Sequence, residues 1–263
     1  MRGLRTERLL RVAARMMNAP SRPLSLTQLA NDFGVSKTVI SDDISLLTLA
    51  LEAEGLGRVV VDRGRSGGAY YQPFVAGPLR RQWLTEVAET LSDPHRQLPA
   101  GFLYYSDLLF NPLYSQRLGA VMATLFCSSE PTIVMTSEVK GIPLGLSTAH
   151  ALGVPLALCR FRNRASDGPA VCVHYPTPTG EARAVYMGTK QLSSSDRVLI
   201  IDDFVRGGST LQGMCQVADE FGAHIVGKGA FIKAESKKSQ VPNLVSLLVL
   251  GEDRVLHVCP EAL

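Results

Sequence analysis

Residues 198–210 read Val198-Leu-Ile-Ile-Asp202-Asp203-Phe204-Val-Arg206-Gly207-Gly208-Ser209-Thr210. Four apolar residues are followed by two acids, a short spacer and a run of small residues. This order predicts a parallel strand that feeds a tight loop and then opens a helix. In open α/β sheets ligands bind outside the carboxyl ends of the strands, which is where Asp202 and Asp203 would emerge. Small residues at 207–210 leave room for backbone N–H groups to approach an anion and permit unusual dihedrals. Carboxylates beside an anion cradle suit a sugar phosphate, the acids holding hydroxyls and the loop holding the phosphate.

Working outward, helix and strand patterns alternate from about residue 117. Ile133–Met135, Pro155–Leu158, Val198–Ile201, His224–Gly227 and Val245–Leu250 read as buried strands. Helical stretches intervene at roughly 115–127, 141–152 and 209–222. Alternation of this kind implies an α/β domain with a mostly parallel, twisted sheet and helices on both faces. Ahead of it, 78–91 reads as a helix with Leu79, Trp83, Val87 and Leu91 on one face and Pro78 near its start. Trp83 suits a core or interdomain anchor. Pro73 to Pro78 reads as a linker.

The first 76 residues have a different character. Leu4, Leu9, Val12, Ala13 and Met16 recur at helical spacing among arginines, and Pro20 and Pro23 end that helix. Ser25 or Thr27 offers an N-cap for a second helix carrying Leu26, Leu29, Ala30 and Phe33. Gly34 is the turn residue, and Val35 packs between helices. Ser36 caps a third helix with Val39, Ile40, Ile44, Leu47 and Leu51 inward. Leu26–Leu47 is therefore a helix-turn-helix pattern. Its exposed reading candidates are Ser36, Lys37, Thr38, Ser41 and Asp42. Asp42 and Asp43 would repel DNA unless they face away. Two short β-like runs, 58–62 and 69–71, flank a basic glycine-rich turn, the wing of a winged helix. Arg63 and Arg65 at its tip suit a minor groove or phosphates. A three-helix protein-contact domain with a solvated hairpin is the plainer alternative.

Charge separates the two parts. Residues 1–76 hold 10 Lys/Arg against 7 Asp/Glu, while 77–263 hold 17 of each, so the entire +3 excess sits in the first part. That fits a nucleic-acid-binding module on a neutral partner domain. Hydrophobic content of 46% with 19% charged residues fits a globular protein, and no apolar run approaches the roughly 20 residues that span a bilayer. The five cysteines have neither paired nor metal-like spacing, and no signal-peptide core follows the early arginines. Reduced, buried thiols, a cytoplasmic location and no membrane partner are expected. His150 and His174 read as structural. The expected organisation is a winged-helix DNA-binding domain at 1–74 and an effector-binding domain at 75–263.

The string 198–210 resembles the signature of the type I phosphoribosyltransferases, which bind 5-phosphoribosyl-1-pyrophosphate (PRPP). An ordinary buried strand with an acidic exit turn is the bland alternative, and the length of the match speaks against it. The resemblance implies that Asp202 and Asp203 contact the ribose hydroxyls, and that Arg206, Gly207, Gly208, Ser209 and Thr210 bind the 5′-phosphate. The family's loop usually ends Gly-Gly-Thr, whereas this chain has Ser209. If Ser209 takes a positive φ, it meets a steric penalty that glycine avoids. Thr136-Ser137-Glu-Val-Lys140-Gly141-Ile-Pro143 resembles the family's pyrophosphate loop. Lys140 and the backbone of Ser137–Gly141 would hold the pyrophosphate, with Arg160 reaching it from the neighbouring strand end. Phe204 and Tyr104 complete the implied effector contacts, and a hood-like hairpin is implied within 160–190.

A winged helix fused to such a domain resembles the Gram-positive purine operon repressor family across nearly the whole chain. The resemblance implies a homodimeric, non-catalytic repressor of purine biosynthesis genes that binds double-stranded operator DNA. It also implies PRPP, with Mg2+, as inducer and guanosine tetra- or pentaphosphate as a competing ligand in the same pocket, with no required cofactor or resident metal. The alternative is an active purine or pyrimidine phosphoribosyltransferase with an attached regulatory module. Against it, the tail after Leu250 supplies no evident base pocket. An RNA-binding pyrimidine regulator shares the sugar-phosphate domain, but the helix-turn-helix speaks against it.

Overall fold

The computed structural model describes residues 2–62, 68–177, 180–235 and 241–263, without the side chains of residues 2–4 and 100. The head comprises α1 (Arg2–Asn18), β1 (Leu24–Ser25), α2 (Leu26–Phe33), α3 (Lys37–Glu54), β2 (Arg58–Asp62) and β3 (Gly68–Gln72). Its helix starts follow from their caps. The Ser25 hydroxyl accepts from Gln28 N–H and the Ser36 hydroxyl from Val39 N–H, each satisfying one orphan donor of the first turn. Gly34, at φ 63°, makes the left-handed turn between α2 and α3. Val12 and Met16 of α1, Leu29 and Ala30 of α2, and Ile40 and Ile44 of α3 form the head's core with Ala69. The small sheet, ordered β1-β3-β2, is antiparallel. The electrostatic objection to Asp43 disappears. It is fully buried facing α1, where Arg8 Nε lies 2.5 Å and Arg5 Nε 3.5 Å from its carboxylate. Asp42 remains exposed.

The body runs α4 (Gly77–Leu91), β4 (Gln97–Leu98), β5 (Phe102–Leu103), α5 (Ser106–Leu109), α6 (Pro112–Phe126), β6 (Ile133–Ser137), α7 (Gly141–Leu152) and β7 (Leu156–Cys159). It continues with β8 (Ala170–Pro176), β9 (Ala182–Gly188), β10 (Arg197–Val205), α8 (Ser209–Glu220), β11 (His224–Ala234), β12 (Leu244–Leu250) and β13 (Leu256–Val258). Six strands form one sheet in the order β13-β12-β11-β10-β6-β7, parallel except for β13. One face is covered by α4, α6 and α7, through residues such as Leu84, Leu118 and Leu144. The other is covered by α8 and the β8–β9 hairpin, through Met214, Val217 and Tyr175. The hairpin is pressed onto α8, because a Cβ on Gly213 would lie 2.5 Å from the Tyr175 ring.

Several expectations shift. The buried face of α4 centres on Leu84, Val87, Ala88 and Leu91, so Trp83 is half-buried at its border, with the Arg117 guanidinium 5.1 Å above its ring. Cys159 and Cys259 are buried and all five cysteines are free thiols, but Cys172 is exposed on the hairpin. Period-2 alternation puts it on the outer face of β8. His150 and His174 are also exposed.

The stretch read as a linker is bonded into the body. Val75 is buried and its N–H donates to Thr124 Oγ1 at 3.0 Å, while Ala76 N–H donates to Gly55 O at 3.0 Å. A second head–body contact lies at the end of α7. The Ser21 hydroxyl donates to Ala151 O at 3.1 Å, and Gly153, at φ 69°, presses against the Pro20 carbonyl.

Candidate effector site and nucleic-acid interface

Strand order positions the site. From β6 the chain leaves through α7 to β7 on one side, and from β10 it leaves through α8 to β11 on the other. The connections diverge between these neighbouring strands and open a crevice outside their carboxyl ends, the topological switch point of an open α/β sheet. β10 contributes Asp202, Asp203 and the 206–208 loop. β6 contributes Thr136, Ser137 and the 138–140 loop.

At the β10 exit, the left-handed residue is Gly208, at φ 76°. Ser209 has no positive φ and opens α8, so the feared penalty does not arise. Gly208 makes no side-chain cap bond, which leaves the first turn of a twelve-residue helix facing the crevice, a ready anion site. At the β6 exit, a Cβ on Gly141 would lie 2.4 Å from Thr136 Oγ1 and 3.9 Å from Asp202 Oδ1. Only glycine lets the start of α7 close down on β6. Thr136 Oγ1 is buried without a hydrogen-bond partner.

The two acids are not equivalent. Asp202 is only 4% exposed, and its Oδ1 accepts from Ser137 Oγ at 3.4 Å and from Asp203 N–H at 3.0 Å. Burial, and then the charge of Asp203, push its carboxyl well above the usual carboxylate range. Asp203 is half-buried and accepts the Tyr105 hydroxyl at 2.5 Å. Burial, and then the Asp203 charge, raise the Tyr105 phenol, so it stays a donor at any physiological pH. Tyr105 stacks on Phe204 at 6.0 Å and 20°, and Lys140 Nζ sits 4.6 Å over its ring.

The structure therefore brings Asp202, Asp203, Ser137, Gly141 and Lys140 together with the loop 206–210. It sets two candidates aside. Tyr104 is 47% exposed and lies under the Arg96 guanidinium, 5.8 Å from its ring centre; its neighbour Tyr105 is the residue that reaches the acids. Arg160 is engaged by two carboxylates, Asp167 at 2.5 Å and Glu138 at 3.3 Å, rather than free to meet an anion. Glu138 also accepts Phe161 N–H at 2.8 Å, which ties the loop to the β7 exit. Arg206 donates to Gly101 O at 2.7 Å and lies over the Phe204 ring. Tyr105 lies in an irregular connection between β5 and α5, where no periodic signal could have singled it out.

On the head, Ser36, Lys37, Thr38 and Ser41 are all exposed on the first turns of α3. Ser36 uses an oxygen lone pair as the cap and keeps its proton for donation. Arg63 and Arg65 lie outside the described residues. Among the described residues there is no metal-binding group of His, Cys, Asp and Glu, and no helix is long and apolar enough to cross a membrane.

Fold and crevice together define a winged-helix head joined to a phosphoribosyltransferase-type domain. Residues 4–73 match the N-terminal domain of the bacterial purine repressor, and residues 105–247 match the phosphoribosyl transferase domain. The chain is 29% identical over 249 residues to the purine biosynthesis transcriptional repressor PurR of Bacillus subtilis (strain 168), covering 94% of this chain and 87% of that protein. It is 30% identical over 234 residues to the purine biosynthesis transcriptional activator PurR of Lactococcus lactis subsp. lactis (strain IL1403), covering 89% and 86%. An adenine phosphoribosyltransferase from Thermoanaerobacter pseudethanolicus shares the body's fold, with a TM-score of 0.54 at 16% identity over 63% of this chain and 99% of that one. The chain belongs to the PurR family of bacterial purine regulators.

Proposed function

We propose that this protein is a non-catalytic, DNA-binding repressor of purine biosynthesis genes. PRPP, with Mg2+ as counter-ion, is its inducer, and guanosine tetra- or pentaphosphate competes for the same crevice. The observation that carries this reading is the placement of Asp203 between the open first turn of α8 and the Lys140 loop, at the switch point. A sugar hydroxyl suits the carboxylate, a 5′-phosphate suits the helix N-terminus, and a pyrophosphate suits the loop with its lysine.

The same loop starts α7, whose twelve residues span about 18 Å and end at the Pro20–Ser21 contact with the head. A ligand that draws the 137–140 loop inward shifts the start of a rigid rod whose other end supports the DNA reader. If that shifted arrangement holds DNA less well, DNA affinity falls by the ligand's differential binding energy. A nucleotide that fills the crevice without moving the loop blocks induction.

The test is a mobility-shift assay on purine-gene promoter DNA. PRPP with magnesium should weaken binding, and guanosine tetraphosphate should prevent that weakening. Asp203→Ala should keep DNA binding and lose the response to PRPP. A variant that still responds normally would place the pocket elsewhere, and pyrophosphate release from PRPP with any nucleobase would overturn the non-catalytic reading.

A further inference from the structure

The loop between β6 and α7 carries a charge that an anion site does not call for. Glu138 stands two residues ahead of Lys140, and its side chain is only 13% exposed. Its Oε1 accepts Phe161 N–H at 2.8 Å, and its Oε2 lies 3.3 Å from Arg160 Nη1. Its own N–H donates to Cys159 O at 2.9 Å, so the residue is held to the β7 exit by backbone and side chain alike. Arg160 in turn meets Asp167 through Nε at 2.5 Å. Lys140 and Arg160 therefore stand against Glu138 and Asp167, two cations against two carboxylates. Sites for polyanions are ordinarily rich in positive charge. Here that charge is cancelled within the loop and its neighbours. Holding the loop in place does not require it, because Phe161 N–H asks only for an oxygen acceptor, which an uncharged amide supplies. What the negative charge adds is the contact with Arg160.

We infer that Glu138 is an internal stand-in for pyrophosphate: it holds Arg160 Nη1 until the ligand's pyrophosphate displaces it, while Asp167 keeps the guanidinium aimed through Nε. This deepens the reading of the crevice as a PRPP site and rests on it. The Glu138 contact is the longer of the two on Arg160, and the arginine side chain keeps 27% exposure. An ion pair so placed contributes little net stability, whereas a guanidinium grips phosphate oxygens in a bidentate pair. The exchange therefore runs toward the ligand. It has two consequences. A site whose arginine is already occupied fills at a higher ligand concentration, so Glu138 sets the threshold of the response. Ligands that lack a pyrophosphate do not need Arg160 and escape that threshold. Displacement also frees the loop at a telling place, because Glu138 lies three residues before α7 starts at Gly141, and the far end of that helix meets the head.

The experiment is calorimetry on the full chain with PRPP and magnesium, with inorganic pyrophosphate and with ribose 5-phosphate. Glu138→Gln keeps an acceptor for Phe161 N–H and removes the charge, so thermal melting should not change. It should bind PRPP and pyrophosphate about 5- to 10-fold more tightly than the parent, the difference between a charged and a neutral acceptor on a guanidinium. Ribose 5-phosphate should bind both chains alike. In a chain that also carries Arg160→Gln, most of the gain for pyrophosphate should vanish, because the two side chains act as a pair. Unchanged or weaker pyrophosphate binding in Glu138→Gln overturns the inference. So does an equal gain for ribose 5-phosphate, or a gain that persists in full with Arg160→Gln, since either would make Glu138 a general repeller of anions. A parent chain that binds neither PRPP nor pyrophosphate overturns the PRPP reading itself, and this inference with it.

Discussion

Gly153→Ala tests whether the end of α7 carries signal between body and head. Gly153 sits at φ 69°, where an L-residue loses about 1–2 kcal/mol relative to glycine. The added methyl would also lie 2.7 Å from Pro20 O and 2.9 Å from Ser21 Cβ. Restoring ordinary contact means opening the head–body joint by roughly 0.7 Å, and overpacking of this order adds about 1–3 kcal/mol. The docked arrangement should lose about 2–5 kcal/mol in all. Gly222→Ala separates the two effects. That residue follows α8 at φ 66°, and its added methyl would meet only Ser194 Cβ at 3.5 Å, so strain alone should remove about 1–2 kcal/mol. Urea denaturation would measure both stabilities. DNA titrations with and without PRPP would then compare the effect of the proposed inducer. Gly153→Ala should bind DNA and PRPP separately within a few-fold of the parent, yet lose most of the change in DNA affinity that PRPP causes, whereas Gly222→Ala should keep it. An undiminished PRPP effect in Gly153→Ala would refute α7 as the connecting rod.

Three further outcomes follow from the buried charges. The Asp202 carboxyl is raised in the folded state, so its contribution to stability is full below the ordinary carboxylate pKa and is lost as pH rises through its folded pKa. Asp202→Asn, which cannot ionise, should therefore be more stable than the parent at pH 8 but not at pH 4, and equal denaturation midpoints at every pH would contradict this. Tyr105→Phe removes the hydroxyl on Asp203 and should weaken PRPP binding about 5- to 30-fold, while pyrophosphate alone, which lacks the sugar, binds as before; calorimetry with both ligands checks the split. Asp43→Ala removes the buried carboxylate that accepts from the part-buried Arg8 and should destabilise the head by about 1–3 kcal/mol, read as an early denaturation transition that Asp43→Asn softens.

Much of the fold was legible because its signals are local. Caps at Ser25 and Ser36, the turn at Gly34 and strands of unbroken apolar residues are chosen by neighbours within a few positions. The string 198–210 likewise marks β10, its glycine turn and the start of α8, since each requirement is met by residues in sequence order. Tyr105 was not legible. Its partner Asp203 is 98 positions away, and the hydrogen bond exists only because the tertiary fold brings the segment before α5 to the end of β10. Arg160's partners were not legible either, because Asp167 and Glu138 approach it through turns whose geometry no spacing reveals.

The chain's own text determined that there would be a basic, helical head and a doubly wound body with a glycine turn at the end of β10, because periodicity, capping and small-residue runs act over a few residues. Tertiary packing decided which acid is buried and which is open, what holds Lys140 and Arg160, and that one helix runs from the crevice to the head. Those outcomes depend on burial and on partners drawn from distant segments, whose distances and desolvation are undefined until the chain has folded.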